Sequence, residues 1–139
     1  MVKINRSNVD IGIVCSNFQD SITFYRDTLG LPVVEEIRVS DEIAIKSGLA
    51  PSGFRQVRLK AGDTLIKLMQ IQTPPREGTS YFKSGVRWIT LFVDDINSVY
   101  SNLTAKGVEF LSEPLNPKDA QWVVCAYDPD GILIEFVEP

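Results

Sequence analysis

The sequence predicts an α+β fold built from two βαβββ modules, on three observations. A strand-then-helix phrase recurs with a period of about 78 residues, each half carries one helix-like apolar stripe, and each half ends in a hairpin signal. A single four-stranded sheet of this length leaves its apolar face uncovered. The two are therefore expected to pair as curved mixed sheets around a shared cleft.

The elements follow in order. Asp10-Ile-Gly-Ile-Val-Cys15 alternates like a strand, and Phe18, Ile22, Tyr25 and Leu29 then recur at helical spacing, with Asn17 as N-cap and Gly30 as the left-handed stop. Leu31 to Glu36 suits a strand by its composition. Strands are also expected at Phe54 to Leu59 and Thr64 to Ile71, joined by the turn Lys60-Ala61-Gly62-Asp63. In the second half, Trp88 to Val93 reads as a strand, and Asp95 caps a helix with apolar Ile96, Val99, Tyr100 and Leu103 that stops at Gly107. Val108 to Leu111, Gln121 to Ala126 and Ile132 to Val137 complete the set, the last two joined by Asp128-Pro129-Asp130-Gly131.

One domain over residues 1–139 is expected, with repeats at about 7–72 and 86–138 and a linker at about 73–85 that begins with the polar run Thr73-Pro74-Pro75-Arg76. The insertion from Arg38 to Gly53 carries Ile43, Ala44, Ile45, Leu49 and Ala50, too apolar for a fully solvated loop. A lid over the cleft, a dimer contact and a plain packed loop all remain open for it.

Composition narrows the function. With 14 basic and 18 acidic residues the net charge is −4, so no basic surface is expected for nucleic acid. No run approaches the roughly 18 apolar residues of a membrane span. The opening Met1 to Asn8 lacks a signal-peptide layout, so a cytoplasmic location is expected. Cys15 and Cys125 lie far apart in apolar runs and read as buried thiols. Histidine is absent altogether, which removes the commonest neutral-pH base and the commonest zinc or iron ligand. No phosphate-binding loop, paired-cysteine motif or nucleophile elbow is present.

Several phrases resemble one family. Asp10-Ile-Gly-Ile-Val followed by Ser21-Ile-Thr-Phe-Tyr-Arg-Asp-Thr-Leu-Gly-Leu31 is similar to the opening of vicinal-oxygen-chelate proteins, the glyoxalase, bleomycin-resistance and ring-cleaving dioxygenase group. Gly85 to Ile96, Gly107-Val-Glu-Phe110 and Asp128-Pro-Asp-Gly-Ile-Leu-Ile-Glu-Phe136 resemble later segments in the family's order. The resemblance implies a metal site with one ligand from the first and one from the last strand of each half, typically histidine and glutamate. The matching positions here are Asp10, Lys67, Trp88 and Glu135, of which only Glu135 agrees.

That substitution shapes the expected chemistry. Lysine repels a divalent cation, and the indole nitrogen of Trp88 donates only. No metal or other cofactor is therefore expected, with Asp10 and Glu135 as residual candidates for a weakly held magnesium or calcium ion. If the fold brings Asp10, Lys67 and Glu135 together, the ammonium can compensate the carboxylates structurally, orient a ligand, or take part in proton transfer with Lys67, Glu135 and Asp10 as catalytic groups. Trp88 is either core or a stacking platform, and Phe54, Phe92, Trp122 and Tyr127 are further ligand-binding candidates.

Three functions follow from the resemblance, in order. The first is a metal-free protein binding a small hydrophobic or planar metabolite or antibiotic. Next is a metal-independent lyase, isomerase, epimerase or cyclase. Last is a metal-dependent glyoxalase or dioxygenase. A homodimer is also expected by resemblance.

Overall fold

The structure, a computed structural model, describes residues 1–76 and 82–139. Residues 77–81, inside the expected linker, lie outside the described residues. The chain divides into two compact units, Met1–Arg76 and Glu77–Pro139. Two mixed sheets, of four and three strands, with few helices make it an α+β protein.

In the first unit, β1 (Ile11–Val14) leads into α1 (Phe18–Ile22), which widens into π-helical turns at Thr23–Thr28. Asn17 caps the start, its side chain accepting the Asp20 N–H at 3.1 Å. The wider turns close through Leu29 N–H to Phe24 O at 2.9 Å, and Gly30 at φ +77° ends them where other residues would be strained. Ile22 and Tyr25 are buried as expected from the stripe. β2 (Val33–Val39), β3 (Phe54–Ala61) and β4 (Thr64–Gln70) follow, giving the order β1-β4-β3-β2 with β1 and β4 parallel. Ile13, Cys15, Val57, Leu59, Ile66 and Leu68 are buried together with the helix residues.

The Arg38–Gly53 insertion is not a plain loop. It contains α2 (Asp41–Ser47), capped by Ser40 Oγ accepting the Ile43 N–H at 3.2 Å and ended by Gly48 at φ +78°. Ala44 is its one buried residue and packs with Phe54 and Met69. Register sets Phe54 on the same sheet face as Gln56 and Arg58, and Met69 on the same face as Lys67. α2 therefore covers one end of the strand face that carries Lys67.

In the second unit, β5 (Trp88–Phe92), α3 (Ile96–Ala105), β6 (Trp122–Tyr127) and β7 (Leu133–Glu138) form a sheet in the order β5-β7-β6. Asp95 caps α3 through the Ser98 N–H at 3.1 Å. The apolar stripe of α3 buries Ile96 and Leu103, and Ile89, Val124, Ala126, Ile134 and Phe136 are buried as well. The hairpin turn forms as expected: Asp128 Oδ1 accepts the N–H groups of Asp130 (2.9 Å) and Ile132 (2.8 Å).

The strand expected at Val108 to Leu111 does not form. That segment contributes one isolated bridge, Phe110 to Ala126, and a second bridge beyond it joins Leu115 to Val123. Between the bridges the chain advances five residues, 110 to 115, against three on β6, 126 to 123, so register cannot run through. Pro114 lies in the gap and has no N–H to give a ladder.

Candidate functional site

In the first unit a polar row crosses the sheet. Glu35 on β2 pairs with Arg58 on β3, Arg58 with Lys67 on β4, and Lys67 with Gly12 on β1, so all four positions share one face. Lys67 Nζ lies 3.3 Å from Asp10 Oδ2, just before β1. Arg58 donates from Nε to Gln56 Oε1 at 2.7 Å and from Nη1 to Glu35 Oε2 at 3.1 Å. Asp10 Oδ1 also accepts the Leu65 N–H at 3.0 Å and Asn8 Nδ2 at 2.9 Å. The Leu65 N–H first, with the hydrogen bond and charge of Lys67 adding to it, holds the Asp10 carboxyl below the usual aspartate range, against a partial desolvation that pushes it up.

In the second unit, alternation puts Trp88, Thr90 and Phe92 of β5 on one face with Glu135 of β7 and with Cys125 and Tyr127 of β6. The Thr90 hydroxyl donates to Glu135 Oε1 at 2.7 Å. Cys125 is the register partner of Glu135, and burial followed by the Glu135 charge pushes its thiol up, while Arg87 pulls the other way. Trp88 is 54% exposed, with the Arg87 guanidinium 5.7 Å from its ring centre. Phe92 is also exposed.

Two aromatic candidates stand elsewhere. Phe54 is only 1% exposed and is part of the α2 packing, so it has no ring face open to a ligand. Trp122 pairs with Glu138 and alternates onto the face of Val124 and Ala126, opposite the Glu135 face.

Arg58, Gln56, Thr90 and Arg87 join these faces without having been singled out from the sequence, and Cys125, expected as a buried thiol, is only partly buried there. Thr90 was within reach: it stands two residues after Trp88, hence on the same face of the strand, and is the repeat counterpart of Gly12. Arg58 was not, because its neighbour Lys67 becomes visible only once β3 and β4 are in register.

Of the four positions where the resemblance places metal ligands, Asp10 is engaged by Lys67, Leu65 and Asn8, and Glu135 by Thr90. Lys67 and Trp88 provide no lone pair for a cation at neutral pH. Among the described residues, no three His, Cys, Asp or Glu side chains are grouped as a metal-holding set. This donor set does not fit a divalent metal.

Comparison with known proteins agrees with the topology. The family model of the Glyoxalase/Bleomycin resistance protein/Dioxygenase superfamily matches residues 8–136. The chain belongs to this superfamily. The uncharacterized Bacillus subtilis protein YwkD is 26% identical over 130 residues, covering 92% of this chain and 93% of that one. Uncharacterized YaeR of Escherichia coli is 25% identical over 128 residues and covers 92% of each chain. Among solved structures, a glyoxalase family protein from Bacillus cereus superposes with a TM-score of 0.77 at 23% identity, over 99% of this chain and 97% of its own. TnmS3, an antibiotic binding protein from Streptomyces, gives 0.69 at 22% identity over 99% of both chains. These superpositions show that the superfamily fold is shared. No helix among the described residues is long and apolar enough to cross a membrane.

Proposed function

We propose that this superfamily member is a metal-free binding protein for a small hydrophobic or planar molecule, a metabolite or an antibiotic. The ion pair between Lys67 and Asp10, 3.3 Å apart, carries this assignment. It puts a fixed ammonium of the protein where related proteins place a metal-ligating carboxylate, so charge at that position needs no imported cation. The exposed Trp88 ring supports the planar part of the ligand, since an indole in solvent gains by stacking on another flat surface. The likeness to the antibiotic binding protein TnmS3 supports the same class. A homodimer and a cytoplasmic location belong to this proposal and are checked by mass in solution and by cell fractionation.

Metal analysis and fluorescence titration test it together. Purified protein is expected to contain no stoichiometric zinc, nickel or iron, and its tryptophan emission to respond to planar aromatic ligands through Trp88. Trp88→Leu abolishes that response and Trp122→Leu keeps it. Stoichiometric transition metal, or a response that survives Trp88→Leu, overturns the assignment. Turnover of a bound ligand that is lost in Lys67→Ala and Glu135→Gln with affinity retained would instead make the protein a metal-independent lyase or isomerase.

A further inference from the structure

The polar row of the first unit has more hydrogen-bond donors than its own acceptors engage. Arg58 and Lys67 are direct register partners, which stands two cations side by side on one face. Like charges placed so repel across neighbouring strands. Their carboxylate partners sit at the ends of the row, Glu35 beyond Arg58 and Asp10 beside Lys67. Neither carboxylate lies between the two cations. Glu35 and Gln56 engage Nη1 and Nε of a guanidinium that has five N–H donors, and Asp10 engages an ammonium that has three.

Open space adjoins the Lys67 end of the pair. The register partner of Lys67 on β1 is Gly12, and a Cβ added there would meet no atom within 4 Å. Arg58 and Lys67 are 23% and 26% exposed, so they are partly withdrawn from water yet reachable. Further along the same face Met69 and Phe54, packed against Ala44 of α2, form an apolar border. A cationic pair beside bare backbone with an apolar margin suits an anion attached to an apolar body.

We infer that Lys67 and Arg58, over Gly12, form an oxyanion-binding site that takes the carboxylate or phosphate group of a small organic ligand. The guanidinium offers a planar fork and the ammonium a point charge, the two donor types that best match such oxyanions. The bound anion supplies the shared counter-charge that the outer carboxylates do not. With a net charge of −4, the chain as a whole repels anions, so recognition has to be local to this pair. The assignment rests on the small-molecule binding function proposed above and adds the charge of the ligand to it.

Nuclear magnetic resonance titration of isotope-labelled protein with benzoate, phenyl phosphate and neutral benzyl alcohol tests the site. The wild type is expected to bind at least one anion about 10-fold more tightly than benzyl alcohol. Benzoate and phenyl phosphate distinguish a carboxylate ligand from a phosphate ligand. Lys67→Met removes the preference by charge, and Gly12→Leu removes it by filling the open space while leaving both cations in place. Gly12 lies outside the left-handed region, so a leucine there is tolerated by the backbone. Equal wild-type affinity for anion and alcohol overturns the site, and so does a preference that survives Gly12→Leu. Binding of benzyl alcohol alone would leave the small-molecule function standing while removing the anion site.

Discussion

Asp10 is held from two sides, by the Leu65 backbone N–H and by the Lys67 ammonium. The Leu65 N–H reaches Asp10 Oδ1 at 3.0 Å and is the largest single cause of the lowered carboxyl pKa, to which the ammonium at 3.3 Å adds by hydrogen bond and by charge. The half of the pair nearest the turn is thus anchored by backbone. A change at Lys67 leaves Asp10 with its two other donors.

The lowered Asp10 pKa sets the sign of an acid dependence. Its folded value lies below that of the unfolded chain, about 3.9, so the contribution is present above that pH and is lost as pH falls through the folded value. Urea midpoints measured from neutral pH down into the acid range are expected to drop more steeply at the acid end for wild type than for Asp10→Asn. Identical acid limbs would show that Asp10 gains nothing on folding.

Gly53 is the tight joint of the α2 excursion. A Cβ there would stand 2.8 Å from Val39 O and 2.9 Å from Asp41 N, while its own N–H donates to Asp41 Oδ1 at 2.6 Å. Gly53→Ala is expected to cost roughly 1–3 kcal/mol, because two of the three atoms it meets are backbone and the third is the Asp41 carboxylate already held by the Gly53 N–H. Gly12→Ala, facing open space, should stay within about 1 kcal/mol of wild type. Thermal melts of the pair check the contrast.

Ser21 is fully buried, and among the described residues its hydroxyl has no hydrogen-bond partner. Replacing it with alanine removes a desolvated polar group at little cost in packing. Ser21→Ala is expected to stabilise the protein by about 1 kcal/mol, read as a raised urea midpoint.

The Cys125 thiol reports on Glu135. Its pKa is raised first by burial and then by the Glu135 charge. Neutralising that charge in Glu135→Gln removes the second cause. Alkylation of Cys125, followed by peptide mass against pH, should then begin at lower pH than in wild type. An unshifted profile would mean that burial alone accounts for the effect.

Much of the fold was legible in the chain because local chemistry repeats it. Asn17 and Asp95 are short acceptors placed before apolar stripes, Gly30 and Gly107 permit the left-handed stops, and the Asp128 turn carries its own acceptor for backbone N–H groups. The loss of the Val108 to Leu111 strand was less visible. Its residues suit a strand, and what defeats pairing is the unequal spacing opposite β6. The helix at Asp41–Ser47 was hidden for a related reason: its Ile43 and Ile45 stay exposed, so it shows no clear buried stripe.

By itself the sequence determined the two-part α+β plan, the lack of histidine, and the lysine and tryptophan at positions where the family resemblance implies metal ligands. Tertiary structure alone decided which side chains became neighbours. Lys67 meets Asp10 and Arg58, Glu135 meets Thr90 and Cys125, Phe54 turns into packing, and Trp122 takes the other face. The physical reason is register: alternation is written along each strand, but the partner across the ladder is set by where distant strands align, and a shift of one residue would exchange every face.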